Sequence, residues 1–193
     1  MTVITHIDQL DPNKTYSYAD YLKWQIDEYV ELIKGKVFKM SPSPSASHQR
    51  VSRNLSLELG IFLKGKTCQM FVAPFDVRLK RTEDDQIYTV VQPDLCVICD
   101  PSKIDEKGCF GAPDLIVEII SPATSRKDVK DKFELYQEVG VTEYWVVEPL
   151  DKLVDVFILK EGKYALVKKY VFDDLVPVNI LPGFSVDMKE VFE

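Results

Sequence analysis

One run constrains the fold more than any other: Ala112-Pro113-Asp114-Leu115-Ile116-Val117-Glu118-Ile119-Ile120-Ser121-Pro122. A short apolar segment bounded by prolines has the pattern of a strand covered on both faces. Glu118 sits in its middle. A dry, unpaired carboxylate there would cost on the order of several kcal/mol, so the fold must bring it a cation, a donor or water. The rest of the chain can be read for that partner.

Around this strand the periodicities predict an ordered series of elements. Tyr18, Tyr21, Leu22 and Ile26 recur at helical spacing in a short first helix over Ser17–Ile26. Tyr29–Met40 alternates loosely about Lys34-Gly35, a hairpin with Glu31 on its first strand. Pro42 and Pro44 end it, and Ser45 or Ser47 can cap a helix over His48–Lys64 with Val51, Leu55, Leu59, Phe62 and Leu63 inward. Strands are expected at Cys68–Leu79, where Pro74 demands an edge or bulge, and at Val90–Cys99, separated by a polar turn over Lys80–Gln86. A loop, Asp100–Gly111, leads into the organising strand. The hydroxyls of Ser121, Thr124 and Ser125 can cap a helix over Lys127–Val139 that Gly140 ends, and Glu143–Glu148 is a further buried strand. This strand-helix-strand unit implies a parallel crossover. Leu153–Leu159 and Tyr164–Phe172 flank a Gly-containing turn, a second hairpin, before Leu181-Pro182-Gly183 and a last short helix ending at Phe192. The expected class is α/β: a mixed β-sheet flanked by helices, with N-terminal and C-terminal hairpin additions.

Residues 1–14 read as a lead-in tail and 15–193 as a single domain. A composition of 46% apolar and 28% charged residues is that of a globular chain, and no apolar run is long enough for a membrane span. The first residues carry neither a basic n-region nor an apolar h-region, so a cytoplasmic location is expected. Cys96 and Cys99 have C-x-x-C spacing, but an odd offset on a strand points them to opposite faces. Four buried free thiols, with Cys68 and Cys109, are the simpler expectation. The net charge of -7 argues against non-specific coating of nucleic acid. Between Lys34 and Lys66, however, seven basic residues face one acid, Glu58, which suits either phosphate binding or a solvated helix face.

Asp94 and Glu118 form the strongest pair of candidates. Each is an acid in an apolar strand, and the two strands are near in order, so the carboxylates plausibly neighbour each other. Brought together they repel unless protonated or bridged by a cation, and hard oxygen donors suit magnesium. Lys132 lies beside Val129 and Phe133 on the helix that follows the Glu118 strand, where an inward-leaning ammonium would reach both acids. Asp128 precedes it by one turn and can orient it, whereas Lys130 faces away. Glu31 and His48 are accessory candidates. Asp114 shares the face of Glu118 but stands about 13 Å along the strand, too far for one ion, and more plausibly caps its loop.

With Gln92-Pro93-Asp94 on one strand and Glu118-Ile119-Ile120 on the next, then a helix and a strand, the chain resembles the PD-(D/E)XK nuclease superfamily. More closely it resembles the Uma-type restriction endonuclease family. The shared features are Glu31-Leu32-Ile33 with Gly35, Met40-Ser41-Pro42, His48, the stretch Pro113 to Pro122, Asp128 with Lys132 and Tyr136, Gly140-Val141, Glu143-Tyr144-Trp145-Val146-Val147 and Leu181-Pro182-Gly183. The resemblance implies a restriction-endonuclease-like fold, magnesium or manganese held by Asp94 and Glu118, and DNA as substrate. The superfamily's lysine belongs two residues after the acid, where this chain has Ile120. The resemblance suggests that the lysine has migrated to Lys132.

The expected activity is metal-dependent hydrolysis of DNA phosphodiesters by a homodimer, since cutting both strands of a duplex needs two sites. An alternative is a catalytically silent nucleic-acid or protein interaction module that keeps the nuclease fold. Another is a structural role for the acids, paired with Lys132 in a buried network.

Overall fold

The computed structural model describes residues 3–40, 44–79, 86–121 and 126–193, the side chains of 126–128 excepted. Ser41, Pro42, Pro122, Thr124, Ser125, the side chain of Asp128 and nearly all of the expected 80–86 turn lie outside the described residues.

Helix α1 (Tyr18–Tyr21) is a single turn, shorter than its periodicity suggests. Ser17 caps it by accepting from the Asp20 amide, and the Trp24 ring packs against Tyr16 and Tyr21 instead of extending the helix. So short a helix depends on such packing. Strands β1 (Val30–Ile33) and β2 (Lys36–Lys39) form the expected hairpin. Its turn residues Lys34 and Gly35 have φ of 51° and 78°, the paired positive values that a two-residue hairpin matched to strand twist requires. Helix α2 (Ala46–Leu63) starts at Ser45, which accepts from the His48 amide, and buries Val51, Leu55, Leu59 and Leu63. Each such side chain contributes roughly 1.5–3 kcal/mol of burial.

Two expected strands each prove to be a pair. Residues 68–79 divide at Pro74 into β3 (Gln69–Val72) and β4 (Val77–Leu79). Residues 90–99 divide at Gln92-Pro93 into β5 (Thr89–Val91) and β6 (Leu95–Ile98). Proline donates no ladder hydrogen bond, so at each break the chain passes from one sheet to another. The expected loop 100–111 holds a small hairpin, β7 (Ile104–Asp105) with β8 (Gly108–Phe110). Then follow β9 (Leu115–Ile119), α3 (Arg126–Val139), β10 (Glu143–Glu148), the hairpin β11 (Leu153–Lys160) and β12 (Lys163–Tyr170), the pair β13 (Leu175–Pro177) and β14 (Ser185–Asp187), and α4 (Met188–Phe192).

The architecture is α/β, with two six-stranded mixed sheets in the orders β12-β11-β10-β9-β6-β3 and β2-β1-β5-β4-β8-β7. β9 and β10 run parallel with α3 between them, as their order implied. Alternate residues of β9 serve two cores. Leu115, Val117 and Ile119 pack with α2, α4 and β14, while Ile116 packs with Tyr136 of α3 and with Val77 and Val91 of the second sheet. Glu118 shares the Ile116 face.

One expectation is corrected: Cys68 and Cys99 form a disulfide, and only Cys96 and Cys109 are free among the described residues. The antiparallel β3–β6 register, which sets Gln69 against Ile98, carries Cys68 opposite Cys99. Proximity across strands cannot be seen in a separation of 31 residues.

Glu143 begins β10 fully buried, and its carboxylate accepts from Trp145 Nε1 at 2.8 Å, Asn179 Nδ2 at 3.2 Å and the Ile180 amide at 2.9 Å. Glu143→Ala leaves Trp145 Nε1 and the Ile180 amide unpaired at about 1–3 kcal/mol each, besides the space vacated by the side chain, whereas the exposed Asn179 amide keeps water and Pro177. Urea unfolding of this variant should show a loss of about 3 kcal/mol or more, and a loss below about 1 kcal/mol would contradict the bracing role.

Candidate functional site

The site begins with register. β6 and β9 pair Leu95 with Val117 and Cys96 with Ile116, so one step further along the ladder sets Asp94 across from Glu118. At that point the β6 chain turns away through Pro93, and the Asp94 side chain continues the ladder: its Oδ2 accepts from the Ile119 amide at 2.7 Å. Its Oδ1 lies 3.1 Å from Nε2 of His48 in the first turn of α2. Asp94 is thereby held at both oxygens.

Glu118 is met from α3. Lys132 Nζ at 3.0 Å and Tyr136 Oη at 2.6 Å both donate to its Oε1, since residues four apart share a helix face. Lys132 also reaches Glu31 Oε1 at 3.0 Å, and the Gln92 amide donates to that same oxygen at 2.9 Å. Glu31 is 5% exposed rather than the solvated strand acid its hairpin position suggests. The five candidates therefore form two bonded groups, Asp94 with His48 and Glu31 with Lys132 and Glu118, which adjoin at Glu118-Ile119 of β9 and line one cavity. Lys130 instead pairs with Glu134 on the exposed face of α3, and Asp114 accepts from the Cys99 amide at its loop.

Two carboxylates, Glu31 and Glu118, share the Lys132 ammonium, while Asp94 is partnered by His48. Burial, partly offset by Lys132 but reinforced by the charges of Asp94 and Glu31, pushes Glu118 up to about 7. Burial would lower Lys132, yet the charges and hydrogen bonds of Glu118 and Glu31 outweigh it and hold the ammonium above its ordinary value. Burial also pulls on His48, and here the Asp94 hydrogen bond and charge prevail and raise it.

These groups line a cavity of about 1140 Å³ walled by the β1–β2 hairpin, α2, the Pro74 turn, the end of β9 and α3. The basic residues noted between 34 and 66 mostly serve elsewhere. Lys34 pairs with Glu138, and Lys36 holds the carbonyls of Pro12, Asn13 and Lys14. Lys66 lies over the Phe62 ring. Lys39 and Arg53 do reach the cavity, the first paired with Glu28 and the second forked on Asn54 Oδ1.

The sequence matches the Uma2 family, described as "Putative restriction endonuclease", over residues 18–189. The chain belongs to the Uma2 family. Two proteins of Synechocystis sp., "Uncharacterized protein slr1290" and "Uncharacterized protein sll1609", are each 26% identical to this Uma2 chain. The first aligns over 92% of both chains, and the second over 89% of this chain and 94% of its own. A crystal structure from Anabaena variabilis, titled a "putative nuclease belonging to DUF820", shares the fold. Its TM-score is 0.72 at 21% identity, over 92% of this chain and 97% of that one.

The Uma2 site suits a divalent ion by its donor set. Its carboxylate oxygens are hard donors, and Glu118 carries first the cost of burial and then that of the neighbouring acids. Among the described residues no three His, Cys, Asp or Glu side chains are close enough together to hold an ion on their own. Two contributors escaped the sequence reading. Tyr136 stands beside Asp128 and Lys132 among the shared family features but without a role of its own, although its i+4 spacing from Lys132 is the available signal. The Gln92 backbone amide has no side-chain signature at all. Among the described residues no helix is long and apolar enough to cross a membrane.

Proposed function

We propose that this Uma2 chain is a metal-dependent endonuclease that hydrolyses phosphodiester bonds in DNA. One observation carries the reading: Asp94, Glu118 and Lys132, from two adjacent strands and a helix, meet in one cavity with more carboxylate than cation. Asp94 and Glu118 would hold magnesium or manganese. A divalent ion supplies Lewis-acid polarisation of a phosphate and a water of lowered pKa. Lys132, kept protonated by its two carboxylates, orients that water or stabilises charge developing on the phosphate oxygens. Ile120 is half-buried beside the second core, so the cation comes from α3 rather than from β9. His48 steadies Asp94, Tyr136 steadies Glu118, and Glu31 tethers Lys132 from the opposite wall. A two-fold dimer, with one site for each strand of a locally opened duplex, belongs to this reading.

The test is calorimetric titration of magnesium and manganese into wild type and Asp94→Asn, followed by plasmid nicking with the same samples. Binding and metal-dependent nicking by wild type, both lost in Asp94→Asn, are expected. Binding without nicking would favour a silent module, and absence of binding would return the acids to structural duty.

A further inference from the structure

The β1–β2 hairpin turns two different faces to its surroundings. Leu32 and Val37 enter the small N-terminal core with Val90 and Tyr16. Tyr29, Glu31, Phe38 and Met40 lie on the other face and line the cavity. The register pairs Glu31 directly with Phe38, and the Met40 amide bonds to the Tyr29 carbonyl two steps beyond. Tyr29 therefore stands two residues from Glu31 on the same face, about 7 Å along the strand. Tyr29 is 67% exposed. Opposite the hairpin, Val72 and Pro74 continue an apolar rim.

The charged groups are recessed below that rim: side-chain exposures are 6% for Glu31, 14% for Glu118, 16% for Lys132 and 22% for Asp94. The lining is also short of free cation. Its described acids are Asp27, Glu28, Glu31, Asp94, Glu118 and Asp131, and Lys39 and Lys132 are already paired. A duplex depends on many phosphate contacts for its affinity and is too stiff to follow a phosphate into a recess. A single strand is flexible, and it gains affinity by stacking bases on aromatic rings beside a few cations. Tyr29 and Phe38, with Arg53 on the facing helix, offer that combination.

We infer that the strand acted on enters this site unpaired, with a base next to the reacting phosphate stacked on Tyr29. Single-stranded or locally opened DNA is then the preferred substrate class. The inference rests on the nuclease reading, and its test separates the two. Anisotropy of labelled oligothymidylate of about twelve nucleotides, a matched blunt duplex and a duplex with a central bubble would be measured on the full chain, with calcium and without metal. Single-stranded and bubble DNA should bind at least about tenfold tighter than the blunt duplex. Tyr29→Ala should weaken single-strand binding roughly 5- to 150-fold, whereas Tyr29→Phe retains it, as stacking of one base on the ring requires. Equal or tighter duplex binding overturns the inference, and so does undiminished single-strand binding by Tyr29→Ala. A Tyr29-dependent preference without metal-dependent cleavage would uphold it and sink the nuclease reading. Metal-dependent cleavage with no such preference would do the reverse.

Discussion

Glu118→Gln is expected to abolish metal-dependent DNA cleavage, by about 10³-fold or more, while leaving the fold as stable as before. The two effects separate because the carboxylate is held against its own electrostatics. Glutamine keeps the shape and an oxygen acceptor for Lys132 and Tyr136, so the packing of β9 against α3 survives. The negative charge is lost, and with it the burial cost that pushes Glu118 up to about 7. A pH series in metal-free buffer checks the origin of the effect. Because the folded carboxyl titrates near 7 rather than at its ordinary 4.5, the folded state holds more protons than the unfolded one between those values. Its contribution to stability is present in full below the lower value and is lost as pH rises through the upper one. That downward slope should be present in wild type and missing in Glu118→Gln. Normal cleavage by the variant would remove Glu118 from the reaction.

Lys132→Met should destabilise the fold strongly. The ammonium lies between Glu31 and Glu118, both recessed, and its removal leaves two carboxylates facing each other with no cation. Breaking a buried pair in this way costs about 3–5 kcal/mol. Urea unfolding should register that loss, and adding Glu118→Gln to Lys132→Met should recover part of it, since one stranded charge is then gone. Cleavage should fall in both variants. A Lys132→Met protein as stable as wild type would mean that the network bears no load, and retained cleavage would mean that Lys132 takes no part in the chemistry.

Local pattern determined a good deal of this protein. The hairpin turn at Lys34-Gly35, the span of α2, the bounds of β10 and the order β9-α3-β10 all follow from short-range spacing, because each is set by residues within a few positions of one another. Asp94, Glu118 and Lys132 stood out for the same kind of reason: a charge in an apolar strand or on the edge of an apolar helix face needs a partner, and that need is visible locally. What tertiary structure decided was which partners meet. Pro74 and Pro93 do not merely weaken two strands. They hand the chain from one sheet to another, and no periodicity reveals where the second half goes. The β6–β9 register sets Asp94 opposite Glu118, the β3–β6 register joins Cys68 to Cys99, and the hairpin carries Glu31 across 101 residues to Lys132. Even the basic segment is redistributed, its lysines drawn to Glu138, Glu28 and backbone carbonyls. The physical reason is common to all of these: strand composition states that a residue is buried, but register and sheet membership, which depend on long-range pairing, state against what.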